Sequence, residues 1–269
     1  MPHIKINGCN IYYEDTLHGK ETIVFAHSLL WSGKMFAAQV THLKDRYRVI
    51  TYDHRGQGKS EVTESGYDMD SLAEDEAALI KALGAAPCHV AGLSMGGFTA
   101  MRIAARQPEM VKSLILMETS AMPEPKENVP RYTLLTRVVK ILGTKPVTKP
   151  VMKIMFGQKF LNDSSRKELR NKWIKELQAN KKTIIRAVQG VITRKGVEAE
   201  LAAIKCPTLI IVGDQDVATI PDKARFIHQQ IPQSKLVIIP GAGHTSSVEE
   251  PELVNKAIEE FLKELNQTF

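Results

Sequence analysis

A serine sits in the run Gly92-Leu93-Ser94-Met95-Gly96-Gly97, directly after the apolar stretch Cys88-His89-Val90-Ala91 and before a helical pattern over 98–105. The Gly-x-Ser-x-Gly spacing describes a tight strand-to-helix turn, at which side chains at 92 and 96 would collide with neighbouring strands. The Ser94 hydroxyl then stands exposed above a sheet edge, and the helix N-terminus beneath it offers unpaired N–H groups and the positive end of a dipole to an oxyanion. A hydroxyl attacks a carbonyl only when a base takes its proton. Of the eight histidines, His244 fits: it ends Pro240-Gly241-Ala242-Gly243-His244, straight after the apolar run 236–239, so a strand end and a glycine loop carry it to the same edge. His3, His18, His42, His89 and His228 read as surface or core residues. An imidazole in this role needs a carboxylate to hold its tautomer and stabilise its cation. Val212-Gly213-Asp214-Gln215-Asp216 offers two, and Asp216, three residues past the strand-ending glycine, has cleared the sheet. Asp216 is therefore favoured over Asp214, which reads as a loop-closing acceptor, with Glu118 at the end of the run 114–117 as the geometric alternative.

The elements that must position these residues follow from periodicity. Short β-branched or apolar runs at 10–14, 22–27, 47–52, 87–93, 111–117, 207–213 and 235–240 alternate with helical patterns at about 35–44, 69–83, 95–107, 221–231 and 251–265. Runs such as Thr22-Ile23-Val24-Phe25-Ala26 are continuously apolar, which suits a sheet covered on both faces. Such alternation predicts an α/β fold with a mostly parallel, doubly wound sheet of about eight strands and an antiparallel hairpin at its N-terminal edge. Between Met122 and Ala203 the alternation fails and the pattern turns helical and Lys-rich. The expected organisation is a core domain of residues 1–121 and 202–269, with a helical cap of residues 122–201 inserted after the sixth strand.

Composition bounds the remaining classes. The chain has 269 residues, 43% hydrophobic and 25% charged, which argues against a disordered, fibrous or disulfide-built protein. It contains no run of about 18 apolar residues, and its N-terminus alternates like a strand where a signal peptide would need a continuous apolar stretch. A soluble, cytoplasmic protein without integral membrane association is expected. Cys9, Cys88 and Cys206 are widely spaced and read as reduced core thiols, with no metal or redox pairing. No phosphate-cradling glycine pattern occurs, since Gly56-Gln57-Gly58 lacks the accompanying Lys-Ser/Thr pair. No metal and no cofactor are expected.

Ser94, Asp216 and His244 occur in the chain order of the α/β-hydrolase family, and other motifs carry the same resemblance. Phe25-Ala26-His27-Ser28-Leu29-Leu30-Trp31 resembles the family's oxyanion loop, and Asp53-His54-Arg55-Gly56-Gln57-Gly58-Lys59-Ser60 its D-x-R-G-x-G-x-S loop. Gly243-His244 is followed by Glu249-Glu250-Pro251 at the usual spacing. The chain is most similar to the esterase, cofactor-free perhydrolase and 3-oxoadipate enol-lactonase branch. The resemblance implies Ser94 as nucleophile, His244 as general base and Asp216 as its orienting carboxylate, with the amides of Met95 and Leu29 forming the oxyanion hole. His27, Asp53 and Arg55 are given loop-fixing roles. One departure is Ser28, where most relatives carry glycine, so the loop that holds Leu29 can be shaped differently. A serine at 94 also disfavours dehalogenase and epoxide-hydrolase chemistry, which needs an aspartate there.

The expected function is hydrolysis of a small to medium carboxylic ester or lactone through an acyl-enzyme. Perhydrolysis on the same triad and a non-catalytic ligand-binding role stand as alternatives. An apolar acyl pocket is expected from Leu29, Leu30, Trp31, Met95 and cap segments 151–156 and 184–188. Residues 123–200 hold 18 Lys and Arg against 7 Asp and Glu, a net +11, while the rest of the chain carries −5. The basic cap reads as a solvated face, as a field that draws an anionic substrate, or as a surface resting on anionic lipid. Nucleic acid is not expected, since no reader motif accompanies the charge. The oligomeric state is not legible in the sequence.

Overall fold

The computed structural model describes residues 2–267. Eight strands form one sheet: β1 (His3–Ile6), β2 (Cys9–Asp15), β3 (Thr22–Ala26), β4 (Arg48–Tyr52), β5 (Cys88–Leu93), β6 (Val111–Met117), β7 (Thr208–Gly213) and β8 (Ser234–Ile239). Their spatial order is β1-β2-β4-β3-β5-β6-β7-β8. The β1–β2 and β2–β4 pairs are antiparallel and every later pair is parallel, which is the expected doubly wound sheet with an N-terminal hairpin. Strands β3, β5 and β7 are buried along their whole length, as continuous apolar runs in a two-sided sheet must be.

The crossovers are α1 (Ala37–Leu43), α2 (Met69–Ala82), α3 (Met95–Arg106) and α9 (Pro221–Gln230), with α10 (Ser246–Glu249) and α11 (Pro251–Gln267) closing the chain. Among them α2 is capped by Asp68, whose carboxylate accepts from the Ser71 N–H and satisfies one of the free amides of the first turn. Between β6 and β7 the chain makes no strand among the described residues. It runs instead through α4 (Val129–Leu142), α5 (Thr148–Met155), α6 (Gln158–Asn162), α7 (Lys167–Gln178) and α8 (Ile185–Ile192). Phe156, Phe160, Trp173 and Leu177 of this segment are buried in the same apolar cluster as Phe25, Trp31 and Phe36 of the sheet and its loops. Burial of each such side chain is worth about 1.5–3 kcal/mol, so packing against the sheet, more than helix propensity, holds the short helices in place.

Cys9 and Cys88 are buried, Cys206 is half-buried, and none forms a disulfide. No helix among the described residues is long and apolar enough to cross a membrane.

Candidate active site

The carboxyl ends of the parallel strands converge on Ser94. The residue occupies the turn from β5 into α3 with φ 54° and ψ −109°, a left-handed conformation that costs a non-glycine residue about 1–3 kcal/mol and persists only where neighbours fix it. They do so from β6 and the loop after it: Ser94 N–H donates to the Met117 carbonyl at 2.9 Å, and Thr119 Oγ1 donates to the Ser94 carbonyl at 2.9 Å. The flanking glycines are steric necessities. A Cβ on Gly96 would lie 2.0 Å from the Ala26 carbonyl oxygen of β3, as the sequence predicts. A Cβ on Gly92 would meet the Gly96 carbonyl at 2.2 Å, so its obstacle is the start of α3 and not a neighbouring strand.

His244, in the loop after β8, brings Nε2 within 2.9 Å of Ser94 Oγ, and its Nδ1 lies 2.9 Å from Asp216 Oδ2. Asp216 also accepts from Thr219 Oγ1 at 2.7 Å and from the amides of Ala218 and Thr219 at 2.8 and 3.0 Å. Burial alone would raise this carboxyl, but the charge and hydrogen bond of His244 and the Thr219 donors hold it below the usual carboxylate range. With an ionised acceptor at Nδ1, the histidine carries its proton there and leaves the Nε2 lone pair facing the serine hydroxyl. All three side chains are at most 8% exposed, which strengthens each polar contact relative to water.

The two other carboxylates weighed from sequence lie elsewhere. Asp214 accepts from the Gly241 N–H at 2.7 Å and closes the β8 loop. Glu118 accepts from the Gly213 N–H at 3.1 Å, and burial pushes its carboxyl well above the ordinary value. Neither contacts His244 by a hydrogen bond among the described residues.

Met95 opens α3, where the first-turn amides have no intrahelical acceptor. The Leu29 N–H, in the loop after β3, likewise finds no acceptor among the described residues. That loop is held by the His27 ring, which donates from Nδ1 to the Ser28 carbonyl at 2.7 Å while Nε2 accepts from the His54 amide at 2.8 Å. Leu30 follows with φ 74°, its N–H donating to Gln57 Oε1 and its carbonyl accepting from Asn180 Nδ2, each at 2.9 Å. Gln57 also reaches Met95 Sδ at 3.8 Å, so one side chain bridges the two amide-bearing segments. Asp53 accepts from the amides of Gly33 and Lys59, and Arg55 pairs with Asp75 at 2.8 Å, so both fasten loops.

A cavity of about 140 Å³ opens above Ser94 and His244. Leu29 and Leu30 line it, together with residues from the helical segment such as Leu135, Val151, Ile154 and Ile185. Two expectations for this wall fail. Trp31 is not among the lining residues: it is buried edge-on against Trp173 and Phe156, with centroids 5.0 and 5.9 Å away, because α7 supplies an aromatic partner that the sequence pattern does not reveal. Met95 is likewise absent from the lining, because its side chain is fully buried in the core. Of the eighteen Lys and Arg in 123–200, only Arg194 is buried, and its guanidinium pairs with Glu124 at 2.6 Å on the cavity wall. The basic character of the segment is therefore turned outward.

Several groups hold the site in ways that the sequence does not assign, although Glu249 stands in the motif Glu249-Glu250-Pro251. Thr219 and Glu249 are the clearest. Glu249 accepts from the amides of Gly243 and Thr245, on either side of His244, and from Gly157 of the helical segment at 2.7 Å; burial pushes its carboxyl up to about 7 against these three bonds. The spacing Asp216-x-x-Thr219 is the one signal that could have found Thr219, since an aspartate capping the amides two and three residues on is a common local motif.

Comparison with known proteins agrees with this fold. A family model described as the alpha/beta hydrolase fold matches residues 21–251. The chain is 32% identical over 255 residues to the AB hydrolase superfamily protein YisY of Bacillus subtilis, covering 93% of this chain and 94% of that protein. It is 28% identical to 3-oxoadipate enol-lactonase 2 of Acinetobacter baylyi, with 92% and 90% covered. Among solved structures it is similar to a thermophilic esterase from Thermogutta terrifontis, with a TM-score of 0.91, 28% identity, and 98% and 99% of the two chains covered. These relatives are hydrolases, esterases and lactonases, a set consistent with ester-bond hydrolysis.

Proposed function

The chain belongs to the alpha/beta hydrolase fold family, and from that membership we propose that it is a serine hydrolase cleaving small to medium carboxylic esters or lactones with neutral, apolar acyl groups. The observation that carries this reading is the continuous line of hydrogen bonds from Asp216 through His244 to Ser94 at the floor of an apolar cavity. Ser94 Oγ attacks the carbonyl carbon as His244 Nε2 takes its proton, and Asp216 stabilises the imidazolium. The tetrahedral oxyanion accepts from the amides of Met95 and Leu29. Collapse breaks the bond to the alcohol, which leaves with the proton from His244; water then repeats the cycle on the acyl-enzyme and restores Ser94. Each step uses only groups of this chain, the substrate and water.

The helical segment, residues 122–201, acts in this reading as a cap whose inner face, with Leu30, holds the acyl group. Glu124 and Arg194 are the only Asp, Glu, Lys or Arg on that wall among the described residues, and they neutralise one another. Removing either partner of such a pair leaves an uncompensated buried charge at a cost of about 3–5 kcal/mol, so the guanidinium is not free to take a substrate carboxylate. A neutral acyl chain is thus favoured over the anionic lactone that the basic composition suggested.

The test is a panel of p-nitrophenyl esters from acetate to decanoate with a neutral and a carboxylate-bearing lactone, each at low and high ionic strength. kcat/KM is expected to rise from acetate toward a medium chain, to favour the neutral lactone, and to be insensitive to salt. A preference for the anionic lactone that fades with salt would overturn the substrate class. Absence of turnover on every member would overturn the enzymatic reading.

A further inference from the structure

From Asn128 to Asn162 the chain contains seven Lys and Arg and no Asp or Glu. Lys159 pairs with Glu250 at 2.8 Å. Arg131, Arg137, Lys140, Lys145, Lys149 and Lys153 are exposed and form no ion pair among the described residues. Large apolar side chains stand among these cations: Leu134 is 62% exposed, Ile141 70% and Leu142 65%. Scattered exposed leucines need no explanation, but three on one fourteen-residue helix, α4, form a patch.

The two sides of α4 differ. Tyr132, Thr136 and Val139 line the cavity above Ser94. At 100° per residue, Leu134, Arg137 and Ile141 fall on the opposite face. Apolar side chains among unpaired cations are what a helix lying in the headgroup region of a bilayer presents: the chains enter the acyl boundary while Lys and Arg remain with anionic headgroups. A nucleic acid would use the cations but leave the leucine and isoleucine side chains without a partner.

We propose that α4, through Leu134, Arg137 and Ile141 on its outer face with the exposed Leu142 and Arg131 on the adjoining flank, docks peripherally on an anionic lipid surface. The charge of the segment and the exposed apolar residues carry this inference, which does not rest on the chemistry at Ser94.

Cosedimentation of the full chain with phosphatidylcholine vesicles, with and without phosphatidylglycerol, tests it. Binding is expected only when phosphatidylglycerol is present and should weaken with salt. The double variant Arg131→Glu/Arg137→Glu should lose roughly tenfold or more in affinity, and the triple variant Leu134→Ser/Ile141→Ser/Leu142→Ser should lose binding while keeping its circular dichroism and its turnover of a soluble ester. Equal binding to both vesicle types, or undiminished binding by the triple variant, would overturn the proposal. So would failure to bind either vesicle type; binding to a DNA duplex, or a concentration-dependent dimer that the triple variant abolishes, would then assign the face to a nucleic acid or to a second copy of the chain.

Discussion

The carboxyl edge of the sheet and the helical segment above it are built by different rules. At the sheet edge, Ser94, Asp216 and His244 each stand just past a strand, and each is fixed by neighbouring backbone or side-chain donors: Met117 and Thr119 for Ser94, the turn through Thr219 for Asp216, and Glu249 for the loop of His244. The helical segment is a set of short helices held by apolar packing, with its one buried cation already paired and most of its other cations exposed. The difference separates two tasks. Groups at the sheet edge should set the rate on every substrate, whereas groups in the segment should redistribute rates among substrates or act on surroundings.

Substitutions can break or sharpen that division. The largest effect is expected from Ser94→Ala, which should reduce kcat on every ester by on the order of 10⁴-fold or more, with circular dichroism unchanged. Asp216→Asn keeps the shape but loses the charge that fixes the histidine tautomer, and kcat is expected to fall by about 10⁴ irrespective of acyl length. If either variant lost one class of ester and kept another, the division would fail on the sheet side.

On the segment side, Ile154→Trp fills part of the cavity wall. It should depress kcat/KM for octanoyl and longer esters by roughly tenfold or more while leaving acetate within about twofold. A uniform loss across chain lengths would place Ile154 with the sheet-edge group. Asn180→Ala gives the smallest and sharpest case, because Asn180 follows α7 yet donates to the Leu30 carbonyl beside the Leu29 amide. Loss of one net hydrogen bond corresponds to about a three- to tenfold decrease in rate. The decrease is expected in kcat for all esters with KM little changed, the signature of a positioning residue for the loop; a KM effect confined to long acyl chains would make it an ordinary cavity contact.

The sequence disclosed the sheet edge better than the segment, for a physical reason. Ser94, Asp216 and His244 follow continuous apolar runs closed by glycine or short polar loops, and in a parallel sheet the end of each run fixes which edge the next residue reaches. Trp31 and Met95 were expected on the cavity by the same adjacency, but the direction of a side chain depends on what packs against it, and α7 and the core claim these two. Thr219, Gln57, Asn180 and Glu249 act across loops that meet only in the folded chain. The excess charge of 123–200 was plain from composition. Which face it takes was not, because that depends on which side of α4 packs over the cavity and on Arg194 finding Glu124.

The central claim is that Ser94 is an activated nucleophile, and it is tested most directly by treating the folded protein with a fluorophosphonate and locating the adduct by peptide mass mapping. One adduct per chain, on Ser94, is the expected result, with labelling abolished in Ser94→Ala and strongly slowed in His244→Ala. No adduct on the folded protein, or one on another residue that persists in Ser94→Ala, would contradict the account.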